Sequence, residues 1–341
     1  MNRANPTEIR LVKEFKHDAP LLSCVFDPSG RFVFAGGRDR FVQCIDLASQ
    51  QKTLLEGHQS WVSAMARSPV ASDVFTADYI GHVICWSCSG DVPRQRWQVE
   101  AHANTIRSIS VSPSGELVAT GGRDGTIRLW STSDGKPLTE LAGHAGQVYA
   151  VLFHPDGKHL VSADRVPKSP RLKQWDLETG REVRQFDASD VSAYRRGENI
   201  EWGGVRGLAV SADGAVLACC GRHKYAGPCC VLLFDWADGT QQTKLLSTMK
   251  GVFSSVRFHP DGFLVAAGAD VSAGELRFWN PDDQQPLAIT ETAGPCLALD
   301  LHSDGQQIAV AQSIGKKTYP EEGAVSVYEM SPGDEVEEAR G

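Results

Sequence analysis

The chain has 341 residues, 41% of them apolar, and 42 acidic residues outnumber 34 basic ones to give a net charge of −8. This length allows one large domain with a well-buried core, and the acidic balance argues against a general nucleic-acid coat. No apolar run is long enough to span a membrane, and the start "MNRANPTEIR" does not resemble a signal peptide. We therefore expect a cytoplasmic protein with no membrane partner, whose nine cysteines stay reduced.

A spacing of histidine and proline recurs along the first half of the chain. A histidine is followed eleven residues later by a proline at His17/Pro28, His58/Pro69, His102/Pro113 and His144/Pro155, at intervals of 41, 44 and 42 residues. Each pair brackets a short apolar run and a tight turn, as in "QVYAVLFHPDG". This pattern is typical of a repeat built from short strands.

The apolar run and turn return three more times without the leading histidine, in "VRGLAVSADG", "FSSVRFHPDG" and "CLALDLHSDG". The sequence therefore contains seven copies, starting near residues 17, 58, 102, 144, 201, 249 and 292. Glycine is abundant, with 33 residues, and helical periodicity is hard to find. Repeats of about 40 residues with these properties predict an all-β propeller.

Short motifs at the repeat boundaries resemble those of the WD-repeat family. They are "GH" at 57–58 and 143–144, "AH" at 101–102, "IRLW" at 127–130, "QWDL" at 174–177 and "LRFWN" at 276–280. The resemblance runs from about residue 7 to residue 330. It implies a seven-bladed β-propeller of four-stranded antiparallel blades over residues 1–330 as a single domain, and it says little about function.

The resemblance also implies a buried hydrogen-bond network in each regular blade. In the third blade the family's four positions are occupied by His102, Thr120, Asp124 and Trp130, to which we assign a structural role. In the first blade Ile45 replaces the tryptophan, and in the second Ile80 stands where the aspartate is expected. The last three blades lack the histidine, so we expect blades one to four to be the more regular.

The two ends of the chain are predicted to close the ring. The seventh copy supplies only three strands, and the segment "TEIRLVKEF" precedes the first blade without a blade of its own. Pairing this N-terminal strand in the last blade would leave no open rim. We expect residues 331–341, "SPGDEVEEARG", to form an acidic disordered tail, and the protein to be monomeric when alone.

Longer loops distinguish the later blades, and the family architecture places them on one face, the top. We call the predicted surface over blades four to seven the crest. Because arginine and tyrosine often anchor interfaces, these loops predict a site for an anionic partner, although polar surface loops would look the same. The candidate crest residues are Arg165, Lys168, Tyr194, Arg195, Arg196, Trp202, Arg222, Lys224, Tyr225, Lys316, Lys317 and Tyr319.

A second candidate surface is the mouth of the central channel, where the innermost strands begin. The residues at or near that position in five blades would suit a peptide anchor, with Trp61 and Phe253 equally compatible with the core. They are Trp61, Arg107, Tyr149, Arg206 and Phe253.

The segment "CCGRHKYAGPCC" places Cys219, Cys220, His223, Cys229 and Cys230 around one hairpin, which invites a zinc interpretation. Neighbouring strand residues face opposite ways and the spacing fits no common closed site, so we expect no metal there and small side chains filling strand positions.

Neither a phosphate loop nor a nucleophile elbow is present, so no catalytic residue and no cofactor is predicted. We expect a non-catalytic scaffold that binds a partner protein or peptide, acidic or phosphorylated, on the top face. A nucleic-acid binder, favoured by the basic and aromatic loops, and an enzyme with a site in the propeller funnel remain the alternatives.

Overall fold

The computed structural model describes residues 3–165, 170–192, 204–224, 227–270, 273–314 and 322–333. In these ranges the backbone forms seven four-stranded antiparallel sheets and one short 3-10 turn, Ser189–Val191. The part of the chain so described holds no helix of the length and apolarity that crossing a membrane requires.

The strands of the first four blades follow one another in chain order from the centre outwards. Blade one comprises β2 (Leu21–Phe26), β3 (Phe32–Gly37), β4 (Val42–Asp46) and β5 (Lys52–Leu55), and blade two β6 (Val62–Arg67), β7 (Asp73–Asp78), β8 (His82–Ser87) and β9 (Arg94–Glu100). Blade three comprises β10 (Ile106–Val111), β11 (Leu117–Gly122), β12 (Thr126–Ser131) and β13 (Pro137–Ala142), and blade four β14 (Val148–Phe153), β15 (His159–Asp164), β16 (Arg171–Asp176) and β17 (Arg181–Asp187).

Blades five and six continue this order, and blade seven departs from it. Blade five comprises β18 (Gly207–Val210), β19 (Val216–Arg222), β20 (Cys229–Asp235) and β21 (Gln241–Leu246), and blade six β22 (Val252–Phe258), β23 (Leu264–Ala269), β24 (Gly274–Trp279) and β25 (Pro286–Thr292). Blade seven contains β26 (Cys296–Leu301), β27 (Gln307–Ile314) and β28 (Glu322–Pro332), with β1 (Ala4–His17) as its outer strand.

The pairing of β1 with β28 closes the ring, which confirms the predicted closure. The register runs from Ala4 opposite Pro332 to His17 opposite Gly323. Because β28 continues to Pro332, the first two residues of the predicted acidic tail are part of a strand, and residues 334–341 lie outside the described residues.

The apolar core is divided among the blade junctions. Seven buried clusters each join two consecutive blades, including one between blades seven and one that contains Leu21, Phe26 and Val325. The first strands of adjacent blades also contact each other around the ring, so they line the central channel. We call the face where these first strands begin the top and the face where they end the bottom.

On the bottom face, histidines in the turns after β14, β22 and β26 connect successive blades. Nε2 lies 3.0 Å from the Gly214 carbonyl oxygen for His154, 2.6 Å from that of Gly305 for His259 and 3.2 Å from that of Gly30 for His302. The receiving turns need glycine, because a Cβ on Gly30 would lie 1.9 Å from the His302 ring. These contacts hold three of the junctions in register.

The buried network that the resemblance implied is present in blade three. The Trp130 indole donates to Thr120 Oγ1 at 2.9 Å, Thr120 Oγ1 lies 2.8 Å from His102 Nε2, and His102 Nδ1 lies 3.0 Å from Asp124. The threonine hydroxyl therefore accepts a hydrogen bond from the tryptophan and donates one to His102 Nε2. The proton of the neutral imidazole is then on Nδ1, which donates to the Asp124 carboxylate. All four side chains are therefore structural, and each forms a hydrogen bond with another member of the network.

Blade two has an aspartate for its histidine two residues earlier than the resemblance led us to expect. Ile80 does stand at the place that Asp124 occupies in blade three, but His58 Nδ1 finds its carboxylate at Asp78, 2.9 Å away. Asp164 Oδ2 likewise lies 3.1 Å from His144 Nδ1, within ion-pair distance. The carboxylate can thus reach the histidine from the end of the second strand as well as from the following turn.

Candidate functional site

Three arginines surround one tyrosine at the top mouth of the channel. The guanidinium carbons of Arg107, Arg206 and Arg165 lie 5.1, 5.0 and 5.6 Å from the ring centroid of Tyr149. Arg165 also donates to the tyrosine hydroxyl at 3.1 Å. Since Arg165 was predicted in the crest and the other residues at the channel mouth, the structure joins the two candidate surfaces at this point.

The cluster extends towards blade one through further aromatic rings. Arg107 donates to the Tyr79 hydroxyl at 2.5 Å, and its guanidinium carbon lies 4.7 Å from the Tyr79 ring. The Tyr79 ring is 5.1 Å from that of Trp61, over which Arg38 lies at 5.3 Å. Cations and aromatic faces therefore alternate across the mouth, an arrangement in which the aromatic rings attract the guanidinium groups.

The repeat explains why these side chains meet. In each of the first four blades, the third residue after the Ser/Thr position of the network lies just past the second strand. Its backbone N–H donates to the carbonyl that precedes the first strand of the same blade, which holds its backbone at the top of the blade. The four pairs are Arg38 with Pro20, Tyr79 with Trp61, Arg123 with Thr105 and Arg165 with Gln147.

Tyr79 and Arg38 were not among the predicted site residues, although the repeat carried a signal for them. The same position is Arg, Tyr, Arg and Arg in the four blades. It lies after the second strand, whereas the mouth residues were predicted from the starts of the first strands. Position within the repeat, rather than loop length, selects the residues of the mouth.

The pKa values of Tyr149 and Arg206 are both lowered, as expected where cationic groups lie close by. Burial alone raises the pKa of Tyr149, but the charges of Arg107, Arg206 and Arg165 outweigh burial and bring the pKa below its ordinary value. Burial, together with the neighbouring guanidinium groups, lowers the pKa of Arg206. Across the described residues, no carboxylate lies within ion-pair distance of Arg107 or Arg38, so these two guanidinium groups add positive charge to the mouth.

Two of the predicted mouth residues differ in their burial. Trp61 is 40% exposed and lies in the cluster just described. Phe253 is fully buried, packs against Trp279 at 5.7 Å and belongs to the core between blades five and six. Its place at the start of a first strand therefore did not make it a mouth residue, because its ring turns into the junction.

The described part of the crest lies mostly on blade five. Lys224 is exposed, and Arg222 Nε donates to the Gly227 carbonyl at 3.3 Å. Beside them Asp190 forms an ion pair with Lys244 at 2.9 Å, which adds no net charge to this part of the surface. The remaining crest residues, Lys168, Tyr194, Arg195, Arg196, Trp202, Tyr225, Lys316, Lys317 and Tyr319, lie outside the described residues.

The four cysteines of the blade-five hairpin are all buried, and their side chains are parts of two different apolar clusters. Desolvation raises the pKa of Cys220 and of Cys229 to about 12, so these thiols stay protonated. Among the residues that the structure describes, they do not form a group whose ligand atoms converge. The packing agrees with small side chains filling strand positions.

Below the mouth, the channel widens into a cavity of about 500 Å³. Serines and small apolar residues of the first strands line its walls, and Arg67, Arg257 and Asp300 lie at its bottom end, where Asp300 is 3.5 Å from Arg67. The top mouth offers hydrogen-bond donors, positive charge and aromatic faces. This chemistry suits the binding of an anionic group.

Comparison with known proteins shows similarity to proteins built from repeats. The family described as "WD domain, G-beta repeat" matches residues 9–46, 93–131 and 135–176. The chain is 33% identical over 151 residues to a protein named "Nuclear distribution protein PAC1" from Coccidioides posadasii (strain C735), covering 44% of this chain and 26% of that protein.

A second relative is named "Small ribosomal subunit protein RACK1y" and comes from Oryza sativa subsp. japonica. It is 30% identical over 168 residues, covering 48% of this chain and 45% of that protein. The chain thus spans less than half the length of the curated relatives it matches. The similarity supports the repeat architecture and leaves the partner of this chain to be inferred from its own surface.

Proposed function

Taking the chain as a WD-repeat β-propeller, we propose that it is a non-catalytic interaction scaffold that binds an anionic protein or peptide at its top mouth. One observation carries the proposal: three guanidinium groups converge on the ring of Tyr149 in a protein whose net charge is −8. A local positive patch on an acidic protein draws an anionic segment to one place.

The geometry favours a peptide carrying carboxylates or phosphates. Guanidinium groups bind either anion in a bidentate manner, and the exposed ring of Trp61 offers apolar area beside them. The contact would extend from the mouth over Arg222 and Lys224 to the other crest residues, where the longer loops of blades four to seven begin. Acidic or phosphorylated side chains spaced along an extended strand fit such a surface.

Nucleic acid is the second candidate, because arginines interleaved with aromatic rings also stack bases and pair phosphates. The overall negative charge opposes it, since affinity for a phosphate backbone depends on many cationic contacts. An enzyme in the funnel is less well supported, because no histidine stands among the described residues that line the cavity to activate one of its serines. A protein or peptide partner therefore accounts best for the mouth.

The proposal is tested with fluorescein-labelled peptides that are glutamate-rich, phosphorylated or neutral, and with a single-stranded oligonucleotide, using fluorescence anisotropy. Arg107→Glu and Arg165→Glu should each weaken binding of the anionic peptides at least tenfold, which is about 1.4 kcal/mol. The effect should shrink above ~0.1 M salt, where the screening length falls below ~10 Å.

Arg94→Glu supplies the matched control, because Arg94 is an exposed arginine on the outer strand of blade two. Equal losses from Arg94→Glu and Arg107→Glu would show that total charge governs binding and would remove the mouth from the proposal. Preference for the oligonucleotide over every peptide would support the nucleic-acid alternative.

A further inference from the structure

We propose that the bottom face carries a binding site for a divalent transition-metal ion, formed by His154, Asp156 and His159. The three residues flank the turn between β14 and β15, on the face opposite the positively charged mouth. Their ligand atoms all lie within 4.8 Å of one another. Two imidazoles and a carboxylate are a donor set that zinc and neighbouring transition metals accept in proteins.

The carboxylate stands between the two rings. Asp156 Oδ2 is 3.0 Å from Nδ1 of His154 and 2.7 Å from Nδ1 of His159. Its other oxygen accepts the backbone N–H groups of Lys158 at 2.8 Å and of His159 at 3.1 Å. These bonds fix the carboxylate so that one oxygen faces both histidines, and a metal ion could bridge all three donors after small side-chain rotations.

His154 is held in the tautomer that a metal ligand requires. Its Nε2 lies 3.0 Å from the Gly214 carbonyl oxygen, which accepts the Nε2 proton and leaves a lone pair on Nδ1. A backbone carbonyl that accepts the far N–H is a common second contact of metal-binding histidines. Nδ1 also lies 3.2 Å from the Asp156 backbone nitrogen, a weak contact that a bound metal would replace.

The neighbouring blades show that the second histidine is not needed to build the turn. The residue that returns its carbonyl to the turn histidine is His159 in blade four, Phe263 in blade six and Gln307 in blade seven. In all three turns an aspartate stands two residues after the turn histidine. Of these three turns, that of blade four is the one in which a second imidazole contacts the aspartate. The turn itself therefore does not explain His159.

Packing supports the rings from behind. The Trp236 ring stacks on His154 at 4.0 Å and meets His159 edge-on at 5.8 Å, and the Trp236 carbonyl accepts a hydrogen bond from Arg184. His154 is buried, whereas Asp156 is exposed and His159 half-buried. Solvent can thus reach the ion and supply the remaining ligands, as in an open three-residue site.

The test titrates Zn²⁺ into the metal-free, untagged full chain by isothermal calorimetry. One ion should bind per chain, and His159→Phe, which places there the residue that blade six has, should weaken binding at least about tenfold. Asp156→Asn should have the same effect, so the result does not depend on one variant. Zn²⁺ should also raise the melting temperature of the wild type more than that of either variant.

His259→Phe is the matched control, since it removes the turn histidine of blade six and should leave the Zn²⁺ affinity unchanged. A wild-type chain without saturable Zn²⁺ binding would overturn the proposal. So would equal affinities in the wild type, His159→Phe and Asp156→Asn, since the ion would then sit elsewhere.

Discussion

Blades two to four and blades five to seven fill the same positions with different chemistry. In blade two Thr76 accepts the Trp86 indole proton at 2.9 Å and bonds His58 at 2.7 Å, so each polar atom has a partner. In blade five the corresponding positions hold Cys219 and Phe234, both buried in an apolar cluster. A blade can therefore be held by a hydrogen-bond chain or by packing alone.

Blade six uses a third solution, an ion pair. Glu275 and Arg277 are 5% and 3% exposed and lie 3.1 Å apart. Glu275 also accepts a hydrogen bond from Ser247, and Arg277 donates one to Thr248. In blade seven, the uncharged side chains of Gln312 and Ser326 bond each other at 3.0 Å. The histidine network is therefore one of several ways to pair the polar groups inside a blade, and the free energy lost when it is removed depends on which polar groups remain unpaired.

The largest effect is expected in blade six. Arg277→Met should destabilise the protein by about 3–5 kcal/mol, because it leaves the Glu275 carboxylate buried without its partner. The double variant Glu275→Leu/Arg277→Met should recover most of that loss. Urea unfolding measures both, and equal losses in the single and double variants would show that packing, rather than charge, holds blade six.

Blade two should lose less when its hub is removed. Thr76→Val should cost about 1–3 kcal/mol, because the Trp86 indole and the His58 ring both lose a buried partner. Cys219→Val in blade five is the matched change and should cost clearly less in the same urea experiment. If the two losses are the same, the hydrogen-bond hub contributes nothing beyond its volume.

The charged network of blade three should respond to pH. Burial alone raises the pKa of Asp124, but hydrogen bonds from His102 and Thr126 lower it to about 2, and burial lowers the pKa of His102. Both groups bind protons more weakly in the folded state, so their contribution is present near neutral pH and is lost as pH falls, for Asp124 between about 4 and 2.

The measurement compares the wild type with His102→Gln/Asp124→Asn, which removes both titrating groups. The wild-type advantage in unfolding free energy should shrink by up to about 2 kcal/mol on acidification. Gln312→Leu/Ser326→Ala in blade seven carries no titrating group and should show a constant difference. A pH-independent gap in blade three would contradict the folded-state pKa shifts.

The smallest effect separates two tryptophans. Trp86 donates its indole proton to Thr76, whereas the Trp279 indole nitrogen is buried without an acceptor among the described residues. Both changes to phenylalanine remove similar area, so Trp86→Phe should cost about 1 kcal/mol more than Trp279→Phe, the contribution of the hydrogen bond. Thermal unfolding resolves this difference, and a reversed order would mean that Trp279 has the stronger polar contact.

The regular parts of this fold followed from the sequence because they repeat. The interval between His58 and His102 predicted the length of one blade, and the segment 7–15, which has no blade of its own, predicted the closing strand. Asp78 was missed because it lies two residues before the position at which blade three has Asp124. Its carboxylate still reaches His58, which an alignment of the repeats does not reveal. The start of a first strand left Phe253 open between the mouth and the core, because strand position alone does not fix which way a ring packs, and the structure buries it between blades five and six.

The candidate site depended on contacts between blades, which periodicity does not encode. Arg107 and Tyr149 were predicted at the mouth, yet the contacts of Arg107 with Tyr79 and of Tyr149 with Arg165 depend on how adjacent blades are placed around the ring. The histidine pair on the bottom face was equally hidden, because its second member occupies a turn position that other blades give to phenylalanine or glutamine.

The pairing of β1 with β28 also sets the order of events during synthesis. The first strand leaves the ribosome roughly 300 residues before its partner, a wait of tens of seconds at about 5–20 residues per second. During that time its edge is open to other chains, and the exposed charges of Arg10, Glu14 and Lys16 discourage such pairing. β1 is thus made long before it is locked in place, and a nascent chain stalled before β28 would carry six complete blades, the strands β26 and β27, and β1 without its partner.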